Sequence, residues 1–161
     1  MLTPVLATLV YVMNSDGSEV LMLHRNKRVD DIHYGKYNGL GGKVEPDEDV
    51  VSGAIREVHE ESGLAAGTIA LRGTVSWPGF GRNGQDWFGF IFRVDAFTGT
   101  AHTGNDEGTL QWVPIADVPL LPMWDSDREW LPMVFDRDPR TFHGVMPYHD
   151  GQMVSWTYQR I

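Results

Sequence analysis

The segment between residues 41 and 64, GGKVEPDEDVVSGAIREVHEESGL, constrains the fold of this chain more than any other stretch. Within it, Val51, Ala54, Ile55 and Val58 recur at spacings of one, three and four residues, and most positions between them are polar. Apolar residues at this spacing line one face of a helix. The segment therefore predicts an amphipathic helix that packs against another layer of the structure.

Both ends of this helix carry sequence signals. Asp47, directly after Pro46, is the predicted N-cap. Glu48 and Asp49 are then expected in the first turn, where the helix dipole favours acidic residues. Gly63 suits the left-handed conformation that ends a helix.

Most of the remaining chain has the patterns of strands and turns. Residues 5–13 form a continuous apolar run, and large apolar residues alternate from Phe88 to Val94. The predicted strands cover residues 5–13, 20–24, 69–77, 86–96, 109–113, 142–148 and 153–159, and the predicted second helix covers residues 127–135. This order predicts an α/β (α+β) fold, a mixed sheet covered by helices, in a single domain from residue 1 to residue 161.

Composition limits the compartment and the partners. The chain has no cysteine, so it forms neither a disulfide framework nor a thiolate metal site. The N-terminus has no basic leader, and no apolar run is long enough to span a membrane, so we expect a cytoplasmic protein. Thirteen basic against 22 acidic residues give a net charge of -9, which argues against a groove for long nucleic acid. An acidic chain still binds a small phosphorylated molecule if a divalent cation lies between the two.

Three acidic residues of the predicted helix share one face. Glu57 lies three and four residues before Glu60 and Glu61, and like charges at these spacings are mildly destabilising. Carboxylates grouped in this way are the ligands that Mg²⁺ and Mn²⁺ prefer in combination with substrate phosphates. A solvated acidic face is the alternative interpretation.

The spacing of identities favours the metal site over the solvated face, because it reproduces the Nudix box. That motif is Gly, five residues, Glu, seven residues, then Arg-Glu-apolar-x-Glu-Glu-x-Gly-apolar. The matching residues are Gly42, Glu48, Arg56, Glu57, Val58, Glu60, Glu61, Gly63 and Leu64. Seven fixed identities at about 6% each make a chance match on the order of one in a hundred million per start position. The chain therefore resembles the Nudix hydrolases.

This resemblance implies an α/β/α sandwich and hydrolysis of a nucleoside diphosphate linked to a further group, with Mg²⁺ or in some members Mn²⁺ as cofactor. The implied metal ligands are Glu57, Glu60, Glu61 and Glu107, together with a backbone carbonyl of Gly41 or Gly42. Arg56 is implied to orient a glutamate. The catalytic base stays open among Glu57, Glu60 and Glu107.

Segments outside the motif resemble the MutT-type enzymes that hydrolyse oxidised purine nucleoside triphosphates. They are LMLHRNK (21–27), GKYNGLGGKV (35–44), Asp106-Glu107, PMWDSDREWLP (122–132) and FHG (142–144). On this resemblance Asn38 and Asp127 contact the base edge and Trp124 stacks on the base. Arg25 and Lys27 are candidate phosphate contacts. Ser126 stands where the animal purine enzymes carry the first of two adjacent acids, which puts the preference for an oxidised base in doubt.

The residues outside the motif also have structural interpretations. Asn38 before Gly39 is typical of a turn, Glu107 of a loop, Trp124 of a core and Arg25 of a strand end. The expected activity is Mg²⁺-dependent conversion of a purine nucleoside triphosphate, 8-oxo-dGTP included, to the monophosphate and pyrophosphate. The alternatives are hydrolysis of ADP-ribose, a nucleotide sugar or a dinucleoside polyphosphate, or a non-catalytic nucleotide sensor. The expected partner is a small nucleotide, with no membrane; the sequence leaves the oligomeric state open.

Overall fold

The structure, a computed structural model, describes residues 1–161 and contains ten strands and two α-helices. The strands are β1 (Val5–Val12), β2 (Glu19–His24), β3 (Tyr37–Asn38), β4 (Ala65–Trp77), β5 (Trp87–Thr98), β6 (Thr109–Pro114), β7 (Phe142–Val145), β8 (Tyr148–His149), β9 (Gln152–Met153) and β10 (Thr157–Arg160). The helices are α1 (Val50–Ser62) and α2 (Asp125–Phe135). Short 3₁₀ turns at Arg82–Gly84 and Ile115–Leu120 complete the chain.

The strands form one large mixed sheet and two smaller antiparallel ones. The large sheet has the order β1-β5-β4-β7-β10 and combines parallel and antiparallel pairs. A second sheet has the order β3-β2-β6, and β8 pairs with β9 in a hairpin. Residues 40 to 43 continue alongside β1 through single bridges, which brings the start of the motif segment against the edge of the large sheet.

The two helices cover opposite faces of the large sheet. Ala54 and Val58 of α1 pack against Val10 and Phe92 on one face. On the other face, Trp130 of α2 belongs to a second buried cluster. The predicted α/β/α sandwich with a mixed sheet is therefore confirmed. No helix has the length and apolar character to cross a membrane.

Helix α1 begins two residues later than the sequence analysis predicts. The prediction that Asp47 is the N-cap is wrong, because the Asp49 carboxylate accepts hydrogen bonds from the backbone N–H groups of Val51 and Ser52, both at 2.9 Å. Glu48 and Asp49 therefore lie outside the first turn. Gly63 ends the helix with φ of +77°, as predicted.

The second helix and the last strands also differ from the prediction at their ends. Helix α2 starts at Asp125, and it contains Pro132 near its middle. The expected strand at 142–148 is split into β7 and β8. Asp150 and Gly151, both with positive φ, form the tight turn between β8 and β9 that the sequence indicates.

We predict that Asp49→Ala lowers the midpoint of thermal unfolding by about 2–4 °C, because the first turn of α1 loses the side chain that satisfies two backbone donors. Asp47→Ala is the matched control, since Asp47 is exposed and makes no capping contact. Thermal unfolding followed by circular dichroism measures both variants. Equal midpoints for the two would contradict the assignment of the cap.

Candidate active site

Most of the predicted site residues line a single cleft. It has a volume of about 510 Å³ and lies between the edge of the large sheet, the loop after β2, the loop after β4 and the start of α2. The predicted site residues that line it are Arg25, Asn38, Gly41, Gly42, Glu61, Glu107, Trp124 and Asp127. Glu57 lies against the backbone of Gly42, and Glu60 lies outside the cleft.

A single arginine organises the acids of α1. The Arg56 guanidinium donates to both oxygens of Glu48, at 2.7 and 3.0 Å, and to Glu57 at 2.9 Å and Glu60 at 3.2 Å. These contacts raise the pKa of Arg56 and lower the pKa of Glu48 to about 2, in both cases mainly through their mutual hydrogen bonds. Arg56 therefore holds three carboxylates in fixed positions along the helix.

The backbone of the loop before α1 comes very close to these acids. A Cβ atom at Gly42 would lie 2.4 Å from the Glu57 carboxylate, and a Cβ atom at Gly41, where φ is +141°, would lie 2.0 Å from the Thr8 carbonyl. Only glycine fits at position 41, whereas a side chain at position 42 would displace the Glu57 carboxylate. The Gly42 carbonyl accepts the Thr8 N–H, whereas no hydrogen bond reaches the Gly41 carbonyl. Of the two carbonyls expected near a metal, that of Gly41 is therefore the one available for a ligand.

Glu61 is the acid of α1 that projects into the cleft. One of its oxygens accepts the Gly41 N–H at 2.9 Å, and the other is buried without a hydrogen-bond partner. Burial is the main cause that raises the pKa of Glu61 to about 8, and the nearby charges of Glu107 and Glu57 raise it further. A buried carboxylate oxygen without a partner is costly unless a cation or a donor reaches it.

Glu107 approaches Glu61 from a different part of the chain. The Asn105 side chain links the two, because its amide N–H donates to the Glu61 carbonyl at 3.1 Å and its oxygen accepts the Glu107 N–H at 2.9 Å. Arg25 lies 3.4 Å from the Glu107 carboxylate and pairs with Asp31 at 2.7 Å. The acidic end of the cleft thus includes the Arg25 guanidinium, which contacts Asp31 and Glu107 and lines the cleft.

The acidic side chains do not by themselves form a closed metal site. No three acidic or imidazole groups converge in a metal-binding arrangement, because Glu57 and Glu60 are turned towards Arg56. Glu61 and Glu107 still supply oxygen ligands beside the free Gly41 carbonyl, and one Glu61 oxygen lacks a partner. This donor set fits a hard divalent cation that completes its coordination with phosphate oxygens and water.

The opposite end of the cleft is aromatic. Trp124 forms one wall, with the ring of Phe80 in edge contact at 5.7 Å and the ammonium group of Lys36 4.4 Å from the indole centre. Trp77 and Trp87 also line the cleft. Flat apolar walls of this size suit a planar ring system.

Polar groups for a ring edge lie within the same end of the cleft. Asn38 presents a buried side-chain oxygen that has no hydrogen-bond partner. Asp127 is half-buried, and its burial raises its pKa to about 7. Ser126, buried beside it, lines the cleft at the position where the sequence analysis notes a missing acid.

Several residues of the cleft escape the sequence analysis. Thr8, Tyr11 and His33 line it, although no motif marks them as site residues. The side chain of Thr8 is 2% exposed and its hydroxyl has no partner, so it resembles Asn38 and Glu61. The one sequence feature that could have indicated Thr8 is its polar hydroxyl within the apolar run of residues 5–13.

Comparisons with known proteins agree with the fold and with the motif. A family model described as NUDIX domain matches residues 3–134. The oxidized purine nucleoside triphosphate hydrolase of Mus musculus is 33% identical over 116 residues, which are 72% of each chain. The uncharacterized Nudix hydrolase YvcI of Bacillus subtilis is 30% identical over 141 residues, 85% of this chain and 83% of that one.

A solved structure supports the same assignment over nearly the whole length. The crystal structure of a mutator MutT protein from Bacillus halodurans has a TM-score of 0.81 and 26% identity, and the match covers 96% of this chain and 97% of that chain. The structure thus presents the fold, the motif segment and a cleft with acids at one end and aromatic rings at the other. This chain belongs to the Nudix family of hydrolases, which act on phosphoric anhydrides.

Proposed function

We propose that this chain is a divalent-cation-dependent nucleoside triphosphate pyrophosphohydrolase that converts a purine nucleoside triphosphate, 8-oxo-dGTP included, to the monophosphate and pyrophosphate. One observation carries the proposal. A single cleft joins the motif acids to an aromatic wall, and four buried polar atoms without hydrogen-bond partners line it, on Thr8, Asn38, Glu61 and Trp87. Unpartnered polar atoms are rare in protein interiors, and atoms of this kind that line a cleft are available to hydrogen-bond a polar ligand or ordered water.

The acidic end supports the binding of a cation and phosphates. Glu61, Glu57, Glu107 and the Gly41 carbonyl would hold Mg²⁺ or Mn²⁺, with Glu60 as a further ligand. A divalent cation supplies positive charge that neutralises the phosphate chain and acidifies water for attack on phosphorus. Arg25 adds a fixed positive charge at the same end.

The positions of the acids bear on the choice of the general base. Glu107 lines the cleft, whereas the Glu60 side chain is 57% exposed and bound to Arg56. A base must reach the water that attacks phosphorus, and this favours Glu107 over Glu60. Glu57 remains a second candidate, because its carboxylate lies against the Gly42 backbone at the cleft wall.

The aromatic end supports the selection of a base. Trp124 provides a stacking surface, and the Asn38 amide offers both a donor and an acceptor to a purine edge. Asp127 adds a carboxyl group that titrates near neutral pH, so it donates when protonated and accepts when ionised. The relative from Mus musculus is named for oxidised purine substrates, which supports the same class of substrate here.

A substrate panel separates this proposal from its rivals. The protein is incubated with Mg²⁺ and, separately, with 8-oxo-dGTP, dGTP, other nucleoside triphosphates, ADP-ribose, a nucleotide sugar and diadenosine polyphosphates, and the products are resolved. We expect pyrophosphate release from a purine triphosphate at the highest kcat/KM. Turnover of ADP-ribose, nucleotide sugars or dinucleotides alone would overturn the proposal, and tight binding without any turnover would indicate a sensor.

We predict that Glu57→Gln and Glu61→Gln each lower kcat at least about 100-fold while the fold is retained, because each variant replaces the charged carboxylate of a proposed cation ligand with a neutral amide. Steady-state rates and circular dichroism measure the two effects. Glu129→Gln is the matched control, since Glu129 is an exposed residue of α2 that makes no side-chain hydrogen bond or ion pair. Rates within about two-fold of the wild type for both motif variants would rule out their role as ligands.

We predict that Trp124→Ala lowers kcat/KM for the preferred purine nucleotide about ten-fold or more, because the base loses its stacking surface. The same variant should show a smaller preference for purine over pyrimidine triphosphates and should still bind the divalent ion. Trp156→Ala is the control, as Trp156 is also half-buried but does not line the cleft. An unchanged ratio between purine and pyrimidine substrates would reject the role of Trp124.

The raised pKa of Asp127 predicts a pH dependence of stability. The neutral carboxyl is favoured in the folded state, so its contribution is complete below the ordinary pKa of 3.8 and is lost as the pH rises towards about 7. From pH 5 to pH 8 the free energy of unfolding of the wild type should fall by about 1–3 kcal/mol relative to Asp127→Asn.

Urea unfolding of both proteins at the two pH values measures this difference. Asp125→Asn is the control, because the Asp125 side chain is 97% exposed in the same helix. If the wild type and Asp127→Asn change in parallel with pH, the buried carboxyl does not titrate as described.

A further inference from the structure

The indole ring of Trp124 is held by a residue from a distant loop. Its Nε1–H group donates to Nδ1 of His33 at 2.8 Å, and the two rings meet edge to face with centroids 5.9 Å apart. Trp124 precedes α2, whereas His33 belongs to the loop between β2 and β3, 91 residues earlier. The Trp124 side of the cleft is therefore fixed in part by His33, which lies outside α2 and the segment that precedes it.

The chemistry of this contact fixes the state of the histidine. An indole N–H is only a donor, so Nδ1 of His33 accepts with its lone pair and the imidazole is neutral. Burial is the main cause that lowers the pKa of His33 to about 4. The charges of Arg25 and Lys36 lower it further, and that of Asp31 opposes them. The acceptor is thus retained at neutral pH.

His33 is itself held in place by the charged residues of its loop. Its backbone N–H donates to Asp31 at 3.1 Å, and the same carboxylate is bound by Arg25 at 2.7 and 2.8 Å. The loop closes on itself, because the Gly35 N–H donates to the Arg25 carbonyl at 2.7 Å. These contacts hold His33 in a defined position within its loop.

The loop also contacts both ends of the cleft. Arg25 lies 3.4 Å from Glu107 at the acidic end, and where the loop enters β3 the Tyr37 N–H donates to the Pro122 carbonyl two residues before Trp124. The loop and the segment before α2 are thus joined twice, once by backbone and once by the pair of His33 and Trp124. Loss of the side-chain contact alone leaves the backbone contact in place.

We propose that His33 is a positioning residue that accepts the Trp124 indole N–H and thereby fixes the aromatic wall against which the nucleotide base binds. The hydrogen bond between His33 and Trp124 does not depend on the proposed function. The effect of that hydrogen bond on base binding rests on the proposed function. His33 is not among the residues proposed to bind phosphate or cation. Its loss should therefore affect substrate binding and base selection rather than the chemical step.

The contact is tested first without substrate. In ¹⁵N-labelled protein the six tryptophans give separate indole N–H signals, and Trp124→Phe identifies the signal of Trp124. His33→Leu should move that signal upfield and accelerate its exchange with solvent, because the hydrogen bond is lost. His33→Asn, whose side-chain oxygen is again an acceptor, should restore the signal in part. His149→Leu, a change at a histidine that is 83% exposed, should leave it unchanged.

The effect on binding is tested with the same variants and the preferred nucleotide. His33→Leu should raise KM about three- to ten-fold, as expected for one lost hydrogen bond, and change kcat by less than about two-fold. The discrimination between purine and pyrimidine triphosphates should fall, and His33→Asn should recover part of it. His149→Leu should match the wild type in all three quantities.

The outcomes separate this inference from the proposed function. If no nucleotide is hydrolysed, the proposed function fails, and the indole signal still decides whether the contact exists. An unchanged Trp124 signal in folded His33→Leu overturns the contact. A shifted signal with unchanged KM and unchanged base discrimination overturns the positioning role. If His33→Leu does not fold, the comparison of His33→Asn with the wild type decides the same two questions.

Discussion

The candidate site depends on the contact between Arg56 and the acids around it. Five carboxylates, those of Glu48, Asp49, Glu57, Glu60 and Glu61, lie in α1 or within two residues of its start, and crowded like charges oppose helix formation. The Arg56 guanidinium binds both oxygens of Glu48 and one oxygen each of Glu57 and Glu60. The positive charge of Arg56 offsets the repulsion among the acids that it binds. Glu61 is not bound by Arg56 and lines the cleft.

The two ends of the cleft are built by different parts of the chain and meet through loops. The motif segment supplies Gly41 and Glu61, while the segment before α2 supplies Trp124. Arg25 and His33, from the loop after β2, contact Glu107 and Trp124 respectively. An acidic end that suits a cation with phosphates and an aromatic end that suits a base thereby lie within one cleft, and the loop after β2 contacts both.

Local patterns predicted much of this arrangement. Helical spacing placed Glu57, Glu60 and Glu61 on one helix, and the alternation from Phe88 to Val94 indicated a strand of the sheet. The sequence could not distinguish Asp47 from Asp49 as the cap, because both are acids at the start of the same helix and the path of the preceding chain decides between them.

Contacts between distant residues were beyond local patterns. The pairing of Glu48 with Arg56 spans eight residues, and that of His33 with Trp124 spans 91. The family resemblance implies that Glu60 is a metal ligand, and the structure shows its side chain 57% exposed and bound to Arg56. Side-chain direction depends on how loops pack, and residue spacing does not encode it.

The most direct test is a calorimetric titration of Mg²⁺ into the protein in the presence of a non-hydrolysable purine nucleoside triphosphate analogue. Cation uptake in the wild type and its loss when the Glu61 carboxylate is replaced by an amide would agree with the account, because that carboxylate has an oxygen that no protein group satisfies. No uptake by the wild type, or equal uptake by both proteins, would contradict it.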